Sequence, residues 1–191
     1  MPQVLFIGDE EKDLSIRLQK GDKTAARDFY SHYAESLAGV CARYIADEDD
    51  LKDVFQNTLM HILSHIGGFK YRGAGSLQAW SKKVAVNECL KFIRMKERHK
   101  LLQIDSYALD EVEEDIPSIS DISPEILQKM LSLLPVGYRT VLNLYVFEGK
   151  SHKEIASMLG IKKESSSSQL HRAKKMLFKM IRKYNNDNLQ R

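Results

Sequence analysis

The sequence has 191 residues, of which 43% are hydrophobic and 29% are charged, and its formal net charge is only +3. This length allows one medium domain or two small ones, and the composition is that of a globular protein. No stretch approaches the ~20 apolar residues of a membrane span. Because the start, MPQVLFIGDEEKD, lacks a basic segment and a long apolar run, we expect no signal peptide and a cytoplasmic location.

The charges are unevenly distributed along the chain. Residues 82–100 contain seven Lys and Arg against two acids, and residues 162–183 contain eight against one. Between them, residues 103–128 contain eight acids and no Lys or Arg. Two basic segments separated by an acidic one predict two modules that bind a polyanion, joined by a linker that does not.

The first half of the chain has helical periodicity. Asp22 is placed to cap a first helix, and a second is expected to begin near Asp49 or Asp50 and to end at Gly67 and Gly68. In the first helix the apolar face is formed by Phe29, Tyr33, Leu37, Val40, Cys41 and Tyr44. After a short loop, Ser76 is placed to cap a third helix. Apart from a weak VLFI near the start, no segment indicates a strand.

The second half follows an acidic linker and is also predicted to be helical. Pro124 suits the first turn of a helix, and Pro135 with Gly137 should end that helix. The segment SHKE forms a capping box that opens a short helix, and Gly160 ends it. The last helix is expected from about Glu164 to Tyr184. The chain is therefore predicted to be all-α, with helical domains at residues 14–98 and 124–185 and a linker at residues 99–123.

The segment SHKEIASMLGIKKESSSSQLHRAKK has the form of a helix-turn-helix. A recognition helix enters the major groove by its N-terminal end, so its first residues must be small or polar. This need is met by Ser165, Ser166, Ser167, Ser168 and His171. Arg172, Lys174 and Lys175 add positive charge for phosphate contacts. The alternative is a helical hairpin with a solvated basic face.

The segment FKYRGAGSLQAWSKKVAVNECLKFIR alternates aromatic residues with cations. Aromatic faces can stack on unpaired bases while cations hold the backbone, although Phe69 and Trp80 could equally be core residues. The loop glycines resemble a phosphate-binding loop, but no Gly-Lys-Ser/Thr follows and no strand precedes, which argues against that function and against an enzyme.

Three smaller features have simple interpretations. The polar residues after Asp49 on the second helix could be a solvated face. His61 and His65 are four residues apart, but no Glu or Cys completes a metal site, so no metal or other cofactor is expected. Cys41 and Cys89 lie among apolar residues and are expected to be buried thiols.

Three stretches in this order resemble the extracytoplasmic-function group of bacterial RNA polymerase sigma factors. The first is DDLKDVFQNTLMHIL and the second is GSLQAWSKKVAVNECLKFIR. The third and most specific is LPVGYRTVLNLYVFEGKSHKEIASMLGIKKESSSSQLHRAK. The resemblance covers about residues 14–98 and 124–183. It implies a factor without catalytic activity that binds core RNA polymerase and directs promoter recognition and transcription initiation.

The resemblance also implies roles for particular residues. Contact with the clamp helices of the largest polymerase subunit would be made by Asp50, Asp53, Gln56 and Asn57. The minus-ten element and the melted nontemplate strand would be held by Lys70, Tyr71, Arg72, Trp80, Lys83, Asn87, Lys91 and Arg94. The minus-thirty-five duplex would be contacted by Ser165, Ser167, Ser168, His171, Arg172 and Lys174. An anti-sigma factor is a further partner that such proteins commonly have.

The sequence departs from the family pattern at three of these places. Lys52 replaces a usual acid, Ser81 a common Leu, and Ser167 a frequent Lys or Arg. Since Ser accepts several bases, the last change leaves the base preference at the minus-thirty-five element open. The alternative function is that of a stand-alone helix-turn-helix regulator, which would bind duplex DNA only and dimerise on a palindrome.

Overall fold

The computed structural model describes residues 8–96, 117–119 and 122–189. These residues form eight α-helices and a short 3-10 turn, and no strand is found among them, which confirms the predicted all-α class. The helices are α1 (Gly8–Gln19), α2 (Lys23–Tyr44), α3 (Glu48–His65), α4 (Ser76–Lys96), α5 (Pro124–Ser132), α6 (Val136–Val146), α7 (His152–Leu159) and α8 (Lys163–Leu189). The VLFI segment and most of the predicted linker lie outside the described residues.

The chain divides into two compact units, Met1–Lys91 and Phe92–Arg191. Within the described residues, no helix is long and apolar enough to cross a membrane. The predicted domain limits at residues 98 and 99 fall outside the described part of the chain, so those limits stay predictions.

In the first unit, α2 provides the central apolar face. Every apolar residue that the periodicity assigned to this helix is buried, from Phe29 to Tyr44. Asp22 caps the helix as predicted, because its carboxylate accepts from the amide of Thr24. Cys41 and Cys89 are buried and form no disulfide, which confirms the expectation of buried thiols. The Cys41 thiol and burial both raise the pKa of Cys89, so this thiol stays protonated.

The start of α3 agrees to within two residues with the prediction near Asp49 or Asp50. The helix begins at Glu48, and its cap is Asp47, whose carboxylate accepts from the amides of Asp49 and Asp50. Those two aspartates therefore lie in the first helical turn, where negative charge is favourable next to the helix dipole. The predicted end is confirmed, since a 3-10 turn (Ile66–Gly68) follows α3 directly.

Helix α1 was not predicted from the sequence, and it corrects the prediction that Ser76 caps α4. The α4 amides at Leu77 and Gln78 donate to Glu11 Oε1, at 2.9 and 3.2 Å, and the amide of Gly75 donates to Glu11 Oε2. The Ser76 hydroxyl instead accepts from the amide of Arg72. The cap of α4 is thus a carboxylate from α1, which is distant in sequence.

In the second unit, α5 begins as predicted. Pro124 is in its first turn, and the Ser123 side chain accepts from the amide of Ile126. Pro135 separates α5 from α6 as expected, but the prediction that Gly137 breaks the chain was wrong. Gly137 lies inside the first turn of α6 and is buried. The Arg139 guanidinium donates to the carbonyls of Ser132 and Leu134 at the end of α5, at 2.7 and 3.2 Å.

The helix-turn-helix geometry follows the sequence closely. Ser151 and Glu154 form the predicted reciprocal capping box at the start of α7. Gly160 ends α7 with φ 68°, a left-handed conformation that glycine adopts without steric cost. The last helix, α8, is longer than predicted, and its buried side includes Leu170, Ala173 and Ile181.

The junction of α1 and α2 supports a prediction about pH. Hydrogen bonds from Thr24 and from Arg17 lower the pKa of Asp22 from 3.8 to about 2. A carboxylate with a lowered pKa stabilises the fold above its ordinary pKa and loses that contribution as the pH falls through the lowered value. We expect Asp22→Asn to lower the unfolding midpoint near neutral pH, and the difference from wild type to shrink between pH 3.8 and about 2.

Fluorescence measures this effect in the first unit alone, because Trp80 is the single tryptophan of the sequence. Asp187→Asn, at an exposed aspartate of α8, is the matched control and should leave that midpoint unchanged. If the unfolding midpoints of Asp22→Asn and wild type differed by the same amount across this pH range, the assigned role of Asp22 would be contradicted.

Candidate polymerase and DNA interfaces

The exposed side of α3 carries the residues that the sequence assigned to polymerase binding. Asp53, Gln56 and Asn57 are exposed and Asp50 is half-buried. Their helical spacing places them on one side of α3, next to the buried stripe of Val54, Thr58 and Ile62, and we call these four residues the α3 polar strip. Lys52 is an exposed residue whose ammonium is 3.0 Å from the Asp49 carboxylate, so its charge is partly offset.

The loop before α4 combines an anchored aromatic residue with exposed cations. Phe69 is 7% exposed, so of its two open interpretations the core one is correct. Its ring is 5.3 Å from that of Trp80, which is only half-buried. Lys70 and Arg72 are exposed, and Tyr71 is half-buried. Residues 70–72 are named the basic loop.

Along α4, aromatic and cationic side chains share one face. Residues at steps of three and four lie above one another on a helix. This spacing aligns a set that we call the α4 stripe: Trp80, Lys83, Asn87, Lys91 and Arg94. All of its members except the half-buried Trp80 are exposed. The stripe runs for most of the helix and begins at Trp80, in the second turn of α4.

A polar contact ties α4 to α3. Glu88 is 12% exposed at its side chain, and its carboxylate is 3.0 Å from His61 Nδ1 and 3.8 Å from Lys91 Nζ. The His61 ring stacks on that of His65 with centroids 4.1 Å apart. Among the described residues, no group of three or more His, Cys, Asp or Glu could hold a metal ion. His61 therefore takes part in the contact between the two helices, and His65 stacks on it from the same helix.

The outer side of α8 carries most of the predicted duplex contacts. Ser167 and Lys174 are exposed, and Ser168, His171 and Arg172 are half-buried. We call these five residues the groove face. Arg172 is oriented by α6, because its Nη1 is 3.4 Å from the hydroxyl of Tyr138. Sequence reasoning missed this contact, since the two residues are far apart in the chain.

The structure does not place Ser165 or Ser166 on the groove face. Ser165 is 6% exposed and Ser166 is fully buried. The Ser166 hydroxyl is 3.0 Å from His152 Nδ1 at the start of α7. The serine run fits the first turn of a recognition helix by composition, but its first two members face the packing between α7 and α8.

Comparison with known proteins shows the class to which this chain belongs. The family model for Sigma-70 region 2 matches residues 29–99, and that for Sigma-70, region 4 matches residues 125–177. The two matches together span well over half of the chain. The chain belongs to the sigma-70 family, in the extracytoplasmic-function group of RNA polymerase sigma factors, which confirms the resemblance seen in its motifs.

Individual relatives agree with this class. The RNA polymerase sigma-H factor of Pseudomonas aeruginosa is 23% identical over 184 residues, covering 91% of this chain and 94% of that protein. The ECF RNA polymerase sigma-E factor of Haemophilus influenzae is 27% identical, with 87% and 93% covered. A solved structure of CnrH in complex with the cytosolic domain of CnrY aligns at a TM-score of 0.46 and 19% identity, over 87% of this chain and 94% of that one.

Proposed function

We propose that this sigma factor directs promoter recognition through three surfaces: the α3 polar strip for polymerase, the basic loop with the α4 stripe for melted DNA, and the groove face for duplex DNA. The observation that carries the proposal is the α4 stripe, where a half-buried tryptophan begins a line of exposed cationic and polar side chains. Duplex DNA hides the faces of its bases, so a surface of this kind suits an unpaired strand.

The chemistry of the stripe matches the needs of a melted minus-ten element. Trp80 is supported on one side by Phe69, which fixes the ring while part of it stays accessible. A supported ring loses little conformational entropy when a base stacks on it. Lys83, Lys91 and Arg94 then neutralise backbone phosphates along the same face.

The groove face suits the minus-thirty-five duplex. The small and polar residues Ser167, Ser168 and His171 lie near the start of α8, which is the part of a recognition helix that reaches base edges. Lys174, one turn later, is placed for phosphate contact. Because the Ser167 hydroxyl can donate or accept a hydrogen bond, we expect several bases to be tolerated at the position that it contacts.

In this proposal the chain supplies binding free energy and orientation, while the polymerase performs the chemistry. It acts in the cytoplasm, where the polymerase is found, and it needs no cofactor. An anti-sigma factor would inhibit it by covering the α3 polar strip or the groove face.

A stand-alone helix-turn-helix regulator is the competing function. Such a regulator needs only α7 and α8, and it gives no role to the α4 stripe. The two functions differ in partner: a sigma factor binds core polymerase as a single chain, whereas a regulator binds duplex DNA as a dimer.

Run-off transcription with purified core polymerase and genomic fragments tests the proposal directly. We expect transcripts that depend on this chain and that start at a small set of sites. Core polymerase alone is the control for initiation at fragment ends. Binding of the isolated chain to duplex DNA with no gain in transcription would favour the regulator instead.

Replacing Trp80 with Ala should impair promoter opening much more than it impairs polymerase binding. The loss of one stacked base is worth about 1–3 kcal/mol, which predicts roughly a fivefold to hundredfold fall in open complexes. Permanganate reactivity of unpaired thymines measures opening, and competition for core polymerase measures binding. Trp80→Phe retains an aromatic face and should keep most of the activity, while equal losses in both assays would argue against stacking.

Replacing Arg172 with Ala should weaken binding to the minus-thirty-five duplex by about 1–3 kcal/mol if the guanidinium contacts a base. A phosphate contact would instead give a smaller loss and reduce the slope of log affinity against log salt by about one. Lys183→Ala removes an exposed cation further along α8 and is the matched control. Wild-type affinity that did not change with salt would contradict a phosphate-dominated interface.

A further inference from the structure

Helix α1 contacts both ends of the segment that carries the basic loop. At the far end, Glu11 accepts hydrogen bonds from the amides of Gly75, Leu77 and Gln78. At the near end, Gln19 Nε2 donates to the carbonyls of Ile66 and Phe69, at 3.2 and 2.8 Å. The basic loop lies between these two attachment points.

The chemistry at each end is matched to the backbone groups exposed there. The start of α4 presents amides that have no partner within the helix, and a carboxylate is the side chain best suited to accept from them. The 3-10 turn and the residue that follows it present the carbonyls of Ile66 and Phe69, to which the Gln19 amide donates. Glu11 and Gln19 are eight residues apart, about two helical turns, so one rigid helix sets the distance between the two ends.

Few local hydrogen bonds hold the segment between the basic loop and α4: the amide of Arg72 donates to the Ser76 hydroxyl, and the amide of Ser76 donates to the carbonyl of Gly73. Gly73 has φ 118° and Gly75 has φ 81°, conformations that other residues rarely adopt. Glycines lose more conformational entropy on ordering than other residues, so the two that join the basic loop to α4 raise the cost of holding this segment in one conformation.

The environment of Glu11 indicates a fixed role for its carboxylate. Glu11 is 1% exposed, although a carboxylate is among the side chains most rarely buried without partners. Besides the three amides, the hydroxyl of Tyr33 on α2 donates to Glu11 Oε1 at 3.4 Å. Burial and the Glu11 charge raise the pKa of Tyr33, so this hydroxyl keeps its proton throughout the physiological range.

We infer that Glu11 and Gln19 are positioning residues, which hold the basic loop and the first turn of α4 in the conformation that captures single-stranded promoter DNA. This inference rests on the proposed function of the α4 stripe. Neither residue contacts DNA; each acts by raising the fraction of the protein whose loop is ready to bind. Apparent affinity falls in proportion to that fraction when the loop loses its support.

The test uses holoenzyme assembled from core polymerase and the full chain as wild type, Glu11→Gln, Gln19→Ala or Glu10→Gln. Glu10 is the exposed neighbour of Glu11 on α1, so its replacement is the matched control for charge. The DNA is the single-stranded nontemplate minus-ten strand of a promoter recovered by run-off transcription. Affinity of each chain for core polymerase is measured in parallel.

We expect Glu11→Gln to weaken binding of the single strand by about tenfold, because the variant loses the negative charge at the helix start and the second oxygen, which accepts from the amide of Gly75. Gln19→Ala should weaken it by about threefold, since neutral hydrogen bonds are weaker. Affinity for core polymerase should stay within the range of Glu10→Gln for both variants. Hydrogen exchange at the amides of Leu77 and Gln78 should accelerate in Glu11→Gln only.

Other outcomes separate the two proposals. If wild-type holoenzyme does not bind the single strand, the proposed function of the α4 stripe is wrong, and so is this inference. If wild type binds and both variants bind equally well, only the positioning role is overturned. Equal losses of DNA and polymerase binding would show that α1 merely stabilises the unit. Should Glu11→Gln fail to fold, Gln19→Ala decides alone, because Gln19 is exposed and its replacement leaves no buried charge.

Discussion

The contact between the Glu11 carboxylate and the first amides of α4 determines much of the first unit. A buried carboxylate is costly unless it is fully hydrogen-bonded, and unpaired amides at a helix start are costly for the same reason. The carboxylate and the amides therefore satisfy each other's hydrogen-bonding needs, and these hydrogen bonds fix the residue at which α4 begins. The direction of the α4 stripe follows from that starting point, because every side chain on a helix is placed relative to the first turn.

The second unit solves a similar problem with the opposite charge. The buried guanidinium of Arg139 donates to two carbonyls at the end of α5, where helical backbone has acceptors without partners. Short helices have a large share of such groups, so bundles of this size depend on side chains that satisfy helix ends. In both units the charged side chain that satisfies a helix end belongs to a neighbouring helix. The helix end is therefore capped only when the two helices are packed together.

The proposed division of labour follows from how the two units present charge. The net charge of the chain is only +3, which is too small to drive strong binding to DNA by itself. The low net charge is compensated by the local concentration of positive charge, since the α4 stripe and the groove face each place cations along one side of one helix. A factor with two moderate DNA surfaces binds promoters well only when both are used together, and attachment to polymerase is the natural way to couple them.

The sequence by itself determined the helical class, the family, the apolar face of α2, the capping box of α7 and the turn at Gly160, because each depends on residues within a few positions of one another. Only the tertiary structure showed that Phe69 is core, that Ser165 and Ser166 face inward, and that Glu11 rather than Ser76 caps α4. These features depend on packing between helices and on partners up to 67 residues apart, and periodicity has no information on them. Helix α1 was missed for the same reason, since part of the face that it buries is polar, with Glu11 and Ser15, and becomes a binding surface only when its partners have folded against it.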